Sequence, residues 1–227
     1  MLRFVREAVR DIRHTGSVWP SSPALAKAMT RGLAELRGSR RVLEVGPGTG
    51  PFTERILKNL RDGDHFDIVE LNPFFCEELE RRLLVPYRRR KMRAMVALHQ
   101  APIQDAPIEG PYDLIVCGLP FNNFPSTLVR SIFRRMMALL RDGGELAYFE
   151  YAGVRTLKAP LVGAGGRRNL KGIARVGQSL RRKHRGKREL VLGNLPPAFA
   201  THLRKSKEVA AKRSPETRKK RRRAVKA

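Results

Sequence analysis

The sequence predicts an α/β domain on a mostly parallel, doubly wound sheet, with an amphipathic helix ahead of it and a basic tail behind. Three observations predict this. Short apolar runs alternate with segments of helical period from about residue 41 to residue 151. Three glycines two apart, Gly46, Gly48 and Gly50, follow the first apolar run and precede a helix that opens on Pro51. With 227 residues and 41% hydrophobic content, the chain can bury one core of ordinary size.

The elements follow in order. In 2–14, "LRFVREAVRDIRH", Leu2, Phe4, Val5, Ala8, Val9 and Ile12 fall on one arc of a helix, and Arg3, Arg6, Arg10 and Arg13 form a stripe beside it. Two readings fit: a helix lying in a membrane interface, or a terminal helix packed on the domain. Residues 15–23, "TGSVWPSSP", break that helix with Gly and Pro, and Ser22 caps a second helix running to about Arg37. "RVLEV" (41–45), "HFDIVEL" (65–71), "MVALH" (95–99), "YDLIVCGL" (112–119) and "GGELAYFEY" (143–151) read as strands. The segments 51–60, 72–84 and 125–140 between them read as helices. Residues 152–187 are Gly-rich and basic with weak periodicity, which predicts an insertion rather than a layer of the sheet. Residues 188–203 supply two more short strands. From 204 onward the chain has few apolar residues and no aromatic, which predicts a disordered tail. The expected organisation is therefore 1–38 as N-terminal helices forming a membrane or substrate lid, 39–203 as the domain, and 204–227 as the tail.

Charge is distributed unevenly. Residues 151–227 hold 24 Lys and Arg against 3 Asp and Glu, so +21 of the net +26 lies there and +5 in the first 150 residues. A balanced front joined to a cationic rear points to a polyanionic partner, an anionic membrane surface or nucleic acid. Cys76 and Cys117 have no close Cys or His in zinc-ligand spacing, so both read as reduced packing residues of a cytosolic protein and no metal is expected. No run of about 18 apolar residues exists to span a bilayer, and charges interrupt the first apolar residues too often for a signal peptide.

A strand–GxGxG–helix unit uses glycine where a ligand and a backbone approach too closely for a Cβ. The helix beyond it offers unpaired N–H groups. Glu44 lies in the strand just before the loop. Glu70 ends the next strand, the place of an acid that binds both hydroxyls of a ribose. "GLPF" (118–121) ends the fourth strand at the same edge. The loop is one residue tighter than the turn that holds a dinucleotide pyrophosphate.

"LEVGPGTG" and "IVEL" resemble the first and second motifs of the class I S-adenosylmethionine-dependent methyltransferases, a Rossmann-like family, and the resemblance covers about residues 40–151. It implies that Glu44 and the loop Gly46, Pro47, Gly48, Thr49 and Gly50 hold the methionine end of S-adenosyl-L-methionine. It further implies that Glu70 and Leu71 meet the ribose, that Ile103 and Gln104 flank the adenine, and that Gly118 closes the site.

"TGSVWPSSPALAKAMT", "GLPFNNFP", "YFEY" and "NLPPAF" narrow the resemblance to bacterial phospholipid N-methyltransferases, close in sequence to the rRNA adenine dimethyltransferases. The first group methylates phosphatidylethanolamine toward phosphatidylcholine; the second methylates an exocyclic adenine nitrogen. Adenine N6-methylating enzymes share an Asn–Leu–Pro–Tyr-like tetrad. Here it is Gly118–Leu119–Pro120–Phe121, and glycine supplies no side-chain acceptor for an amine. The expected reaction is therefore N-methylation of a phospholipid head-group amine by a monomer at the inner face of the membrane. The alternative is methylation of rRNA adenine, with RNA held by the basic tail. A third reading is a non-catalytic domain that keeps the fold. Tyr151 at the end of its strand, Glu150 and Phe121 are the expected catalytic residues, with Phe124 nearby and Arg155 and Lys158 for the lipid phosphate.

Overall fold

The computed structural model describes residues 21–90, 93–153 and 163–206. The helix expected at 2–14 with its four arginines, the pair Arg155 and Lys158, and the tail from 207 onward lie outside the described residues.

Ser22 caps α1 (Pro23–Met29) by accepting the Leu25 N–H at 3.1 Å, with Pro23 at the first helical position. The expected single helix to Arg37 is two. Thr30 turns its hydroxyl back onto the Ala26 carbonyl at 2.7 Å and ends α1, and a single turn, α2 (Gly32–Glu35), follows. Then come β1 (Arg41–Val45), α3 (Pro51–Asn59), β2 (His65–Glu70) and α4 (Pro73–Leu79), capped by Asn72. Glu80–Leu84 continues α4 as a π-helix into the short α5 (Val85–Arg88). Strands β3 (Met95–Gln100) and β4 (Tyr112–Cys117) lead to a 3₁₀ turn at Phe121–Asn123 and to α6 (Ser126–Leu139). The last elements are β5 (Leu140–Tyr151), α7 (Ala164–Lys183), β6 (Lys187–Val191) and β7 (Ala198–Arg204).

The seven strands stand in the order β3-β2-β1-β4-β5-β7-β6. Strands β1 to β5 are parallel, and β7 pairs antiparallel with both β5 and β6. Alternation along each strand feeds two cores. Val42, Phe66, Ile68, Leu114, Val116 and Phe149 pack under α1 and α3, while Leu43, Val45, Val69, Ile115, Cys117 and Tyr148 pack under α6 and α7. Strands β2 and β3 are added on one side of β1 and β4 and β5 on the other, so the strand order switches at β1. A cleft therefore opens at the carboxyl ends of β1 and β4, where open α/β sheets bind ligands.

Two expectations about the rear of the chain are corrected. Within 152–187, residues 164–183 form a regular helix of 20 residues packed on α6. Leu170, Ile173 and Val176 make a narrow buried stripe, and two of the glycines that suggested a loop, Gly172 and Gly177, serve close packing. A Cβ at Gly172 would come 2.8 Å from the Ser126 side chain. Residues 204 and 205, expected in the tail, belong to the fold: Arg204 closes β7, and the Lys205 N–H bonds the Gly144 carbonyl at 2.9 Å.

Candidate functional site

The cleft is built by three loop ends. Gly46, with φ +67°, turns the chain out of β1, and its N–H bonds the Val69 carbonyl at 2.9 Å. A Cβ on Gly46 would run into the Leu119 side chain, and one on Gly118 into the Gly46 carbonyl oxygen. The loops after β1 and β4 thus touch backbone to backbone, which requires glycine at both positions. Gly50, φ +86°, opens α3, and its N–H bonds the Pro47 carbonyl at 3.0 Å. Leu79 and Leu83 of the α4–π-helix segment close over it, each 2.7 Å from where a Cβ would stand. Gly48, φ +57°, differs: nothing lies within 4 Å of the position of its Cβ. Thr49 is half-buried beside it.

Two carboxylates meet this loop. The Gly48 N–H donates to Glu70 Oε2 at 3.2 Å, and the Asn72 N–H to Glu70 Oε1 at 2.8 Å. Burial raises the Glu70 carboxyl above its ordinary range, against those two bonds and one from the half-buried Leu71. Glu44 is fully buried. Its Oε2 accepts the Thr53 hydroxyl at 2.7 Å, and its Oε1 has no partner. Burial pushes the Glu44 carboxyl up to about 8; the Thr53 bond opposes this and the Glu70 charge adds to it. Beyond β3, Ile103 is buried in the core and Gln104 buries an Nε2 with no partner.

The expected catalytic residues are not brought together. Tyr151 ends β5 half-buried on the α1–α3 face, edge-on to Phe149 at 5.2 Å between centroids. Glu150 points to the α6–α7 side, is buried, and lies 3.7 Å from Arg188. Phe121, expected to offer its ring to the acceptor, is placed in the core, 4.7 Å from Phe133 and 6.2 Å from Tyr148 between centroids. The 3₁₀ turn after Pro120 rolls its ring inward under α6. Phe124 is buried in the same core.

A family model described as a methyltransferase domain matches residues 43–146, the span that holds the glycine loop, both carboxylates and Gly118. The chain carries a class I S-adenosylmethionine-dependent methyltransferase domain. The ornithine lipid N-methyltransferase of Singulisphaera acidiphila is 30% identical over 128 residues, 56% of this chain and 66% of that protein. The ribosomal RNA small subunit methyltransferase A of a Synechococcus strain is 33% identical over 105 residues, 44% of this chain and 35% of that protein. The matched segment thus spans just under two thirds of the first relative and about one third of the second. Among solved structures, the O-methyltransferase from Bacillus cereus in complex with SAH superposes with a TM-score of 0.58 at 16% identity, over 89% of this chain and 91% of that one. That likeness is one of fold.

The methyltransferase cleft fits S-adenosylmethionine on three observations. Glu44 Oε1 is a buried carboxyl oxygen with no partner, Gln104 Nε2 is a buried donor with no acceptor, and the space over Gly48 is open. Glu44 and the loop would hold the methionine end, Glu70 the ribose, and Ile103 with Gln104 the adenine. Two positions that orient this set escaped sequence reasoning. Thr53, nine residues after Glu44, fixes the Glu44 carboxyl, and Asn72 caps α4 while holding Glu70. The signal for Asn72 was its place before Pro73 at a helix start; Thr53 had none beyond its first-turn position.

Glu44 also predicts a proton. A carboxyl with a pKa near 8 is mostly protonated at about pH 7, and a cationic ligand beside it lowers that value. Binding of S-adenosylmethionine is expected to release a large fraction of one proton. Calorimetry in buffers of different ionisation enthalpy measures it. Glu44→Gln should bind without release. A buffer-independent enthalpy in the wild type would place the cofactor's charge away from Glu44.

Proposed function

We propose that the methyl acceptor is the primary amine of a membrane lipid head group, with phosphatidylethanolamine as the first substrate to test. The observation that carries this reading is the contact between Gly118 and the Gly46 carbonyl. At the position where adenine-methylating enzymes resemble one another in an asparagine, this backbone has no room for a side chain. The ring that would stack on a base, Phe121, lies in the core. The match to an ornithine lipid N-methyltransferase supports the same class.

Helix α7 adds a surface. It carries seven Lys and Arg and no Asp or Glu, with Arg168, Lys171, Arg175 and Arg182 exposed. Asn169 ties it to the loop after β4: its Oδ1 accepts the Ser126 N–H at 2.6 Å, and its Nδ2 donates to the Phe124 carbonyl at 2.9 Å. Basic residues near an anionic leaflet contribute about 1 kcal/mol each. The helix would hold the cleft at the head groups. Among the described residues, no helix is long and apolar enough to cross a membrane. Attachment would then be peripheral and salt-sensitive.

The bound cofactor supplies an activated methyl group. The chain's task is to align a deprotonated amine behind it and keep water away. Tyr151, at the carboxyl end of β5, offers an aromatic face to an ammonium that becomes less hydrated with each methyl. Glu150 lies on the opposite face of the strand, paired to Arg188, so the released proton goes to solvent in this reading.

The test is methyl transfer from labelled S-adenosylmethionine to vesicles containing phosphatidylethanolamine or ornithine lipid, beside ribosomal RNA. Lipid methylation is expected, with little transfer to RNA. Tyr151→Ala should lower turnover about tenfold while leaving cofactor affinity unchanged, the loss of one desolvated cation–π contact. Transfer to RNA adenine without transfer to lipid reverses the assignment.

A further inference from the structure

At the opposite edge of the sheet lies a cavity of about 950 Å³. From Glu145 to Tyr151 the strand β5 runs ~20 Å, so this cavity is separate from the methyl-transfer cleft. We propose that it binds a phosphate monoester.

Its floor is a Glu145–His202 pair. The Glu145 Oε1 and His202 Nδ1 atoms are 2.8 Å apart, and the His202 side chain is only 4% exposed. Burial opposes charge on Glu145, but the His202 hydrogen bond, the charge interaction with His202 and then the positive charges of Arg204 and Arg31 outweigh it and keep the carboxyl below its ordinary range. An ionised carboxylate only accepts, so Nδ1 carries a proton, and in the neutral ring Nε2 then presents a lone pair. That Nε2 is buried and has no partner. A buried acceptor left unmade is a standing cost that a ligand can remove.

Cations line the walls. Arg31 is held by Glu189 at 2.5 Å and Arg204 by Glu35 at 3.2 Å. Arg185 and Lys187 also line the cavity, and neither has an ion-pair partner among the described residues. Arg185 has φ +46° at the end of α7, where glycine is the cheaper residue. The chain keeps an arginine in a strained position at the mouth of a cationic cavity.

These features select a ligand chemistry. The cations ask for an anion, and Nε2 asks for a hydrogen-bond donor. A phosphate monoester near neutral pH meets both, because its second ionisation lies near 6 and one P–O–H remains in part of the population. That O–H donates to His202 Nε2, and the anionic oxygens meet Arg185 and Lys187. Sulfate and phosphodiesters carry no such proton. The monoester has two natural sources, a soluble phosphorylated metabolite or a lipid such as phosphatidic acid.

The experiment uses the full chain and two kinds of ligand, soluble anions and lipid vesicles. Inorganic phosphate and glycerol 3-phosphate are titrated by calorimetry against sulfate, and vesicles with phosphatidic acid are compared with vesicles of phosphatidylglycerol. Saturable phosphate binding about fivefold tighter than sulfate is expected, the value of one hydrogen bond. Arg185→Gly with Lys187→Ala should weaken phosphate at least about tenfold. Arg185→Gly relieves the backbone, so that protein should unfold at no lower temperature and should keep its affinity for S-adenosylmethionine. Binding of free esters identifies a metabolite site. Preference for phosphatidic acid vesicles alone, lost in the double variant, identifies the lipid source. Unchanged phosphate affinity in the double variant, equal binding of sulfate, or no preference in either arm overturns the proposal, whatever the fate of the lipid-amine assignment.

Discussion

Asp64→Asn is expected to destabilise the domain by about 3–5 kcal/mol, the cost of leaving a buried charge unpaired. Arg40 is 1% exposed and is the largest fully buried side chain among the described residues. Its Nε lies 3.0 and 3.1 Å from the two Asp64 oxygens, and its Nη2 also bonds Asp64. The remaining donors go to the carbonyls of Leu33 at 3.0 Å and Asn59 at 2.6 Å. Asp64 in turn accepts the N–H groups of Arg40 and Arg61 at 2.8 and 2.7 Å. One guanidinium therefore ties α2, the end of α3 and the entry to β1 and β2. Asparagine keeps the shape of this node and removes the charge that compensates Arg40. Urea unfolding measures the difference. Acid gives an independent check of sign. Burial opposes the charged form of Asp64, but the Arg40 and Arg61 bonds outweigh it and hold its carboxyl below the ordinary range. The stability it contributes is then complete above the unfolded value near 4 and is lost as pH falls through the folded value. The wild type should lose stability below about pH 4 more steeply than the variant. A difference under about 1 kcal/mol at neutral pH would mean that water reaches Arg40.

The front of the fold was legible because local pattern and tertiary role coincide there. An apolar run, a glycine turn and a proline-opened helix leave one arrangement for 41–60, and the order β2-β1-β4 follows from the same alternation. Glu70 was legible because an acid at the end of a second strand has few structural uses. The rear was not. In α7, glycines at 172 and 177 bring the helix close to Ser126 and Tyr148, so the residues that allow close packing look like residues that break structure. Thr30 ends α1 through a hydroxyl that a periodicity argument does not weigh. Phe121 was misplaced for a related reason: aromatic residues beside a ligand loop and aromatic residues in the core under it have the same composition. Only the 3₁₀ turn decides which way the ring goes. The Glu145–His202 pair joins residues 57 apart on antiparallel neighbours, a register that no local pattern encodes.

Glu70→Ala is expected to weaken S-adenosylmethionine by about 1.5–3 kcal/mol, roughly 10- to 150-fold, as for the loss of hydrogen bonds to a charged group. Stability should move the other way. Glu70 is 7% exposed, and burial raises its carboxyl despite the bonds from Asn72, Gly48 and Leu71. A carboxyl with a raised folded pKa makes the folded state hold its proton longer than the unfolded one. The fold therefore loses stability as pH rises from the unfolded value through the folded value, and above it the ionised Glu70 is a net burden. Removing it leaves the N–H groups of Gly48, Leu71 and Asn72 at the mouth of an open cleft, where water replaces the carboxylate. The apo variant should unfold at the same urea concentration as the wild type or a slightly higher one. This opposition separates a ligand group from a structural one. A residue that only braced the Gly48 turn would lose stability and affinity together. A residue placed to meet the ribose loses affinity alone. Unchanged affinity by calorimetry would remove Glu70 from the cofactor site and leave Glu44 as the sole carboxylate beside the glycine loop.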